Sequence, residues 1–141
     1  MQVGAELADA PHVVLANELL DNLPFRRLRG DREIRVGLAG ERLVEVETPW
    51  GGEPGARDGE TIVPVGAFAF IDRLASALIH GYALLIDYGA VGSSGGDFHG
   101  YRDHRVIEDV FADPGSNDIT AGVDFTSIAR HAEGHGLVAF P

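Results

Sequence analysis

The sequence predicts an α/β fold with a small β-meander inserted after its first strand. Two apolar segments carry the sheet. HVVLA (12–16) is a continuous apolar run rich in β-branched residues, typical of a strand buried on both faces. GYALLIDYG (81–89) is a second segment of the same kind. A helical apolar pattern lies between them, and strand, helix, strand along the chain favours a parallel sheet.

The first helix is predicted over residues 65–80, where apolar side chains recur at helical spacing. Gly81 follows as a residue that commonly ends a helix. A second helix is predicted from Phe125 to Ala132, with Asp124 as its N-cap and Gly134 and Gly136 at its end. LVAF (137–140) is then predicted as a third strand.

The meander is predicted over residues 25–48, because Ile34, Val36 and Leu38 alternate with polar or small residues, as do Val44 and Val46. These strands are expected to be half-exposed. GGEPGARDGE (51–60) and the glycine-rich stretch that follows Gly89 are predicted to be loops.

Composition limits the class of function. The chain has 141 residues, 45% of them hydrophobic, which suits a single globular domain. Its formal net charge of −11 disfavours nucleic acid and anionic membranes as partners and favours a cationic substrate. It contains no cysteine, and MQVGAELADA lacks the basic start and apolar stretch of a targeting segment. These features predict a cytoplasmic protein.

Polar residues follow both predicted parallel strands. Asn17, Glu18 and Asp21 come after the first strand, and Asp87 and Tyr88 end the second. Open α/β sheets bind ligands beyond the carboxyl ends of their strands, so these residues are candidates for a site. The structural alternative makes Asn17 a helix cap, Asp21 a solvated first-turn acid and Asp87 the start of an Asx-turn.

Four strings, VVLANELLDNLP, LLIDYG, YRDHRVIEDVFADPG and DITAGVDF, resemble the MidA family of class I S-adenosylmethionine-dependent methyltransferases in order and spacing. The resemblance extends from Pro11 to about Leu137. It implies a partial Rossmann-like methyltransferase sheet, with HVVLAN as strand 4, YALLIDYG as strand 5 and the third predicted strand, residues 137–140, as strand 6.

The resemblance also implies a reaction, the methylation of protein arginine with S-adenosylmethionine as cofactor. A guanidinium is protonated at neutral pH, so a carboxylate has to orient it and accept a proton. Glu18 is the catalytic candidate for that role, and Asn17 is expected to orient the substrate nitrogen or the cofactor. Asp87, Tyr88 and Asp118 are the substrate-binding candidates.

The sequence departs from the family in two places. It contains no G-x-G-x-x-G turn for the cofactor, and GDFHGY stands where relatives usually have a string like GTLRAY. We therefore expect a partial domain over residues 1–141, inactive alone, whose amino-terminal cofactor half is missing or is a separate partner. A homo-oligomer through the unpaired strand edge is the other expected association. The alternative function is a non-catalytic remnant that binds a protein.

Three further residues are weak candidates. Asp124 of DITAGVDF is expected to be a structural cap rather than a substrate ligand. His99 and His104 lie five positions apart without a third convergent ligand, so they are interpreted as solvated loop residues. The sequence thus predicts no metal site.

Overall fold

The computed structural model describes residues 12–56, 58–92 and 97–140, which form a mixed α/β structure. Its strands are β1 (His12–Asn17), β2 (Arg26–Arg29), β3 (Arg32–Ala39), β4 (Arg42–Pro49), β5 (Thr61–Val63), β6 (Gly81–Ile86), β7 (Gly89–Ala90), β8 (Phe98–Arg102), β9 (Arg105–Ile107), β10 (Asp118–Ala121) and β11 (Val123–Asp124). Its helices are α1 (Val65–Ala77), α2 (Phe125–Gly134) and a short 3-10 turn, Leu20–Asn22.

The parallel pairing predicted for the two apolar segments is confirmed. β1 and β6 form a two-stranded parallel sheet with His12 opposite Gly81 and Asn17 opposite Ile86. The chain between them passes through the meander and α1. The two strands lie so close at their start that a Cβ on Gly81 would be 1.9 Å from the carbonyl oxygen of His12. Gly81 also has φ +134°, so this position requires glycine.

One face of the β1/β6 pair is in the core and the other is exposed. Ala16 is buried, and Val14, Ala83 and Leu85 pack at the edge of a core built with α1 and α2.

The opposite face of the pair is exposed and carries five large apolar side chains, Val13 (77%), Leu15 (64%), Tyr82 (72%), Leu84 (55%) and Ile86 (47%). The prediction that HVVLA is buried on both faces is therefore wrong for the described residues, because the helices cover only one side of the pair. We call these five side chains the apolar face.

The segment predicted as a meander forms β2, β3 and β4 of an antiparallel sheet whose strand order is β4-β3-β2-β5. Its inner side contains Leu28 and Ile34, which are buried, whereas Val36 and Leu38 are 61% and 72% exposed. Ion pairs extend across the sheet, from β2 over β3 to β4. Arg27 bridges Glu45 and Glu60, and its guanidinium lies 4.2 Å from the Phe98 ring centroid in β8. The meander is thereby attached to the carboxy-terminal part of the fold.

The first helix is shorter than its apolar pattern predicts. α1 ends at Ala77, and the backbone N–H of Leu78 makes the last helical bond, to the carbonyl of Leu74. Gly81 is not its cap but the first residue of β6. The reason is that His12 donates its backbone N–H to the carbonyl of His80, so the residues after Leu78 already belong to the approach of β6 to β1.

The second helix begins as predicted. The Asp124 carboxylate accepts a hydrogen bond from the backbone N–H of Thr126 at 3.0 Å, which is N-cap geometry. α2 continues to Gly134, two residues beyond the predicted end, and Gly136 follows with φ +82°. Ile128 and Ala132 are its buried residues.

The predicted third strand at residues 137–140 is wrong, since this segment forms no strand. Leu137 packs on the core, but Val138 and Phe140 are 73% and 77% exposed. An apolar run alone did not produce a strand, because no described neighbour offers it a backbone partner.

Short strands complete the fold. β8 pairs with β9 and β10 in an antiparallel sheet, and β7 pairs with β11 in parallel. The predicted glycine-rich loop lies partly outside the described residues, as does the amino-terminal segment 1–11. Within the described residues, neither α1 nor α2 has the length and apolar character to cross a bilayer.

Candidate functional site

The carboxyl ends of β1 and β6 meet at one edge of the parallel pair. Asn17 is in register with Ile86, and the backbone N–H of Glu18 donates to the carbonyl of Ile86 at 2.8 Å. Asp87 comes next on the second strand. The parallel register thus brings Asn17, Glu18 and Asp87 to the same edge, although 70 positions separate Asn17 and Asp87 in the numbering.

Asp87 connects the two strand ends through its side chain. Its Oδ2 accepts hydrogen bonds from the backbone N–H of Leu20 at 2.7 Å and of Asp21 at 3.3 Å. Its Oδ1 accepts from the backbone N–H of Tyr88 at 2.8 Å, which is a local turn contact. Both oxygens therefore have backbone partners, and the carboxylate holds the 3-10 turn against β6.

The interpretation of Asn17 as a helix cap is wrong. The residues after it form only the 3-10 turn Leu20–Asn22, whose N-cap position is Leu19 and which has no side-chain cap of its own. The free N–H groups of this turn donate to the carboxylate of Asp87, which directly follows the neighbouring strand β6. Asn17 is instead the last residue of β1, with an exposed side chain.

Glu18 has an unusual backbone conformation. Its φ is +47°, in the left-handed region that non-glycine residues seldom adopt. Its N–H is held by Ile86, and its carbonyl accepts from the Asn22 side chain at 3.5 Å. Such a conformation costs on the order of 1 kcal/mol or more and tends to be found where geometry serves function. The Glu18 side chain is exposed at this edge.

The structural alternative for Asp21, a solvated first-turn acid, is wrong. It is 8% exposed rather than solvated, and its Oδ1 accepts from the Asn22 amide at 2.7 Å. Burial raises the pKa of the Asp21 carboxyl above its ordinary value, and the nearby charge of Asp87 raises it further. The pattern NELLDNLP gave no signal of this burial, which depends on the turn that Asp87 holds in place.

The remaining substrate-binding candidates are more peripheral. Tyr88 is 70% exposed beside Asp87. Asp118 is the exposed first residue of β10, in register with Tyr101, and β10 packs against the 3-10 turn. Among the described residues, the Asp118 carboxylate accepts no hydrogen bond from the segment that carries Asn17, Glu18 and Asp21.

The histidines that drew attention in the sequence are exposed. His99 is in β8, and His104 is in the turn that leads to β9, with φ +61°. A different group is brought together by the two helices. Asp72 of α1 lies beside His131 and His135 at the end of α2, a juxtaposition that sequence spacing did not indicate.

Comparison with known proteins identifies the family. Residues 3–140 match the family model described as "Putative S-adenosyl-L-methionine-dependent methyltransferase". The chain belongs to this family. Among curated relatives, it is 34% identical over 136 residues to the human mitochondrial protein arginine methyltransferase NDUFAF7. It is 40% identical over 155 residues to the Drosophila melanogaster homologue of that protein.

These alignments cover most of this chain but a smaller share of each relative. The human protein is matched over 85% of this chain and 30% of its own length, and the Drosophila protein over 94% and 35%. The chain therefore spans about a third of the curated relatives that it matches.

A solved structure shares the fold. A COG1565 superfamily member and likely methyl transferase from Burkholderia thailandensis, bound to S-adenosyl-homocysteine, matches with a TM-score of 0.78 and 28% identity. The match covers 94% of this chain and 40% of that one. A native structure of a COG1565 protein from the same organism gives 0.77 and 26%. The α/β class and the family resemblance predicted from the sequence are confirmed.

The predicted cytoplasmic location is wrong. The curated relatives from frog, human and cattle are all named as mitochondrial proteins. The prediction relied on the absence of cysteine and on the composition of the first ten residues, which lie outside the described part of the chain. Composition at one end was too little evidence for a compartment.

Proposed function

We propose that the chain is the substrate-side part of an S-adenosylmethionine-dependent methyltransferase that methylates arginine in a protein substrate. The observation that carries the proposal is the placement of Glu18, whose left-handed backbone is held at the carboxyl edge of a parallel strand pair and whose side chain is exposed there. The names of the curated relatives support arginine as the acceptor. A strongly acidic chain also suits a cationic guanidinium.

The carboxylates at this edge of the strand pair suit both reactants, S-adenosylmethionine and arginine. S-adenosylmethionine supplies a methyl group on a cationic sulfonium, and three carboxylates at one edge suit a positive charge. In the transfer, the S–CH3 bond breaks as the N–CH3 bond forms, and the arginine nitrogen loses one proton. We assign no residue of the chain to the adenine or the ribose, for which the sequence contains no G-x-G-x-x-G turn.

Glu18 has the central role in this proposal. Its carboxylate accepts hydrogen bonds from the guanidinium, turns the reacting nitrogen toward the methyl group and accepts the proton that nitrogen releases. Alignment of the nucleophile contributes in addition to the proton transfer, since a protonated guanidinium is a poor nucleophile. Asn17 lies one residue before Glu18, and we propose that its exposed amide orients the same nitrogen.

Asp87 enters the proposal as a positioning residue. Its oxygens already accept three backbone hydrogen bonds, from Leu20, Asp21 and Tyr88. It therefore acts on the substrate through the 3-10 turn rather than by direct contact. Tyr88 and Asp118, both exposed near this edge, are proposed to line the path of the substrate protein.

The apolar face supports the rest of the proposal. We propose that β1 and β6 are the fourth and fifth strands of a Rossmann-like sheet and that the cofactor-binding part of the methyltransferase covers this face. Five large apolar side chains are exposed on it, and a sheet face of this kind is normally buried in α/β folds. The same face equally suits a non-catalytic protein-binding role, so an activity measurement has to separate the two.

The test is methyl transfer in a chimera. Residues 12–140 replace the matching part of the Burkholderia thailandensis protein, and the chimera is incubated with methyl-labelled S-adenosylmethionine and a mitochondrial protein extract. We expect label in methylarginine after acid hydrolysis of the proteins. If the folded chimera binds S-adenosyl-homocysteine but transfers no label, the methyltransferase proposal is wrong and the protein-binding role is favoured.

A further inference from the structure

We propose that the chain has a second site, unrelated to methyl transfer, that binds a Zn²⁺ ion between α1 and α2. Its ligands are Nε2 of His131, Nε2 of His135 and the carboxylate of Asp72. These ligand atoms all lie within 4.8 Å of one another. His131 is in the last turn of α2, and His135, four positions later, is the residue directly after the helix, so the two side chains emerge from the same side of the helix end. Asp72 faces them from α1. Two imidazoles and one carboxylate form a common protein ligand set for zinc.

The two distances from the Asp72 carboxylate to the histidines are close to those between ligands of one coordinated ion. Asp72 Oδ1 lies 2.7 Å from His131 Nε2 and 3.3 Å from His135 Nε2. Ligands about 2.1 Å from a tetrahedral zinc ion are about 3.4 Å from each other. The His135 pair already matches this spacing. The His131 pair has to open by about 0.7 Å, which a rotation of the half-exposed Asp72 side chain can provide.

The His135 ring is already arranged as a metal ligand. Its Nδ1 lies 2.9 Å from the backbone oxygen of His131, and a carbonyl can only accept, so we assign the proton to Nδ1. In the neutral ring, Nε2 then presents its lone pair toward Asp72. Metal-bound histidines commonly donate their other ring N–H to a carbonyl in this way, which fixes both the tautomer and the orientation.

With both rings neutral, this arrangement favours a cation over a simple hydrogen-bonded cluster. Two imidazole nitrogens converge on one carboxylate oxygen. His131 can donate to that oxygen, but a neutral His135 offers it a lone pair, which is repulsive. A divalent cation between the three groups replaces this repulsion with coordination, and the neutral His131 ring then carries its proton on Nδ1 and presents the Nε2 lone pair to the cation.

Two further features favour the site. The His131 ring stacks on Phe68 of α1, with ring centroids 4.3 Å apart and planes inclined by 14°, so its direction is fixed by packing. Both histidine ligands lie at the carboxyl end of α2, where the helix dipole favours positive charge. The side chains of Asp72 and His135 are 49% and 45% exposed, which leaves room for water as a fourth ligand.

The test is zinc titration of the chain, without an affinity tag and freed of metal by a chelator. Calorimetry at neutral pH is expected to show one equivalent of Zn²⁺ bound, and Co²⁺ as a probe is expected to give the visible absorption of a tetrahedral site. His135→Ala and Asp72→Asn should each weaken zinc binding at least tenfold. We leave His131 unchanged because its ring is part of the packing between the helices.

The matched control is His80→Ala, which removes one exposed histidine outside the proposed site. It leaves the chain with the same number of histidines as His135→Ala. It should bind zinc as the unmodified chain does. Circular dichroism confirms that each variant is folded, and Asp72→Asn keeps the shape of the side chain it replaces. The proposal is overturned if the chain binds no zinc, or if His135→Ala and Asp72→Asn bind it as tightly as His80→Ala.

Discussion

The carboxylate of Asp87 lies 2.7 Å from the backbone nitrogen of Leu20, a residue 67 positions earlier in the chain. This hydrogen bond joins the end of one parallel strand to the turn that follows the other. It also determines the surroundings of Glu18 and Asp21, because both lie in the segment that it holds. The geometry of the proposed site therefore depends on a side chain that makes no contact with the substrate in our account.

The first prediction concerns this anchor. Asp87→Ala leaves the part-buried N–H groups of Leu20 and Asp21 without their acceptor and should lower the free energy of unfolding by about 1–3 kcal/mol. Asp58→Ala, in an exposed loop, is the control and should change it by less than about 0.5 kcal/mol. Urea unfolding followed by circular dichroism measures both. Equal stability of the two variants would show that the turn does not need Asp87.

The second prediction is a pH dependence that comes from Asp21. Its folded-state pKa is raised above the ordinary 3.8 by burial and then by Asp87, so the folded state holds the proton more tightly than the unfolded chain. The contribution of this group to stability is present below pH 3.8 and is lost as the pH rises through the raised folded pKa. Asp21→Asn should therefore be more stable than the unmodified chain at about pH 7 and equally stable at about pH 3.

Asp21→Asn keeps an oxygen that can accept from the Asn22 amide, so the comparison isolates the charge. Chemical unfolding at the two pH values provides the measurement. A stability difference of the same size at both would refute the titration of Asp21 as its cause.

The third prediction concerns the apolar face. Leu15 and Leu84 are direct partners across the strand pair and are 64% and 55% exposed, so the isolated chain should self-associate through them. Leu15→Glu should shift the chain toward monomer, whereas Val36→Glu, on the exposed part of the meander, should not. Light scattering over a range of concentrations distinguishes these cases. A monomer at every concentration for the unmodified chain would contradict the prediction.

The fourth prediction compares two glycines. Gly81→Ala places a Cβ 1.9 Å from the His12 carbonyl oxygen at a positive φ, and should lower the free energy of unfolding by about 2–4 kcal/mol. Gly134→Ala, in α2 with open space around it, should instead raise it by up to about 1 kcal/mol. Thermal melts of the two variants should therefore move in opposite directions. A tolerated Gly81→Ala would mean that β1 and β6 are not packed this closely.

The local sequence pattern correctly predicted the pairing of the two apolar strands and the start of the second helix. HVVLAN and GYALLI pair in parallel as expected, and Asp124 caps α2. The pattern could not show which face of β1 is covered, because that depends on how many layers pack on the sheet. LVAF illustrates the same limit, since a strand requires a partner as well as apolar side chains.

The candidate site was predicted in its residue types but not in its geometry. The strand ends indicated where Asn17, Glu18 and Asp87 would meet. The left-handed backbone of Glu18 and the burial of Asp21 both follow from hydrogen bonds between segments distant in sequence, which no local pattern encodes. The Asp72, His131 and His135 group was missed for the same reason, because α1 and α2 are brought together only by the core.

The most direct test of the central claim is the turnover number of Glu18→Gln in the chimera, measured as labelled methylarginine against Glu41→Gln as control. Glu41 is an exposed glutamate in the turn between β3 and β4. We predict that Glu18→Gln lowers kcat by about 100-fold or more while the affinity for S-adenosyl-homocysteine stays unchanged, and that Glu41→Gln turns over normally. Normal turnover by Glu18→Gln would contradict the assignment of Glu18 as the carboxylate that aligns and deprotonates the arginine.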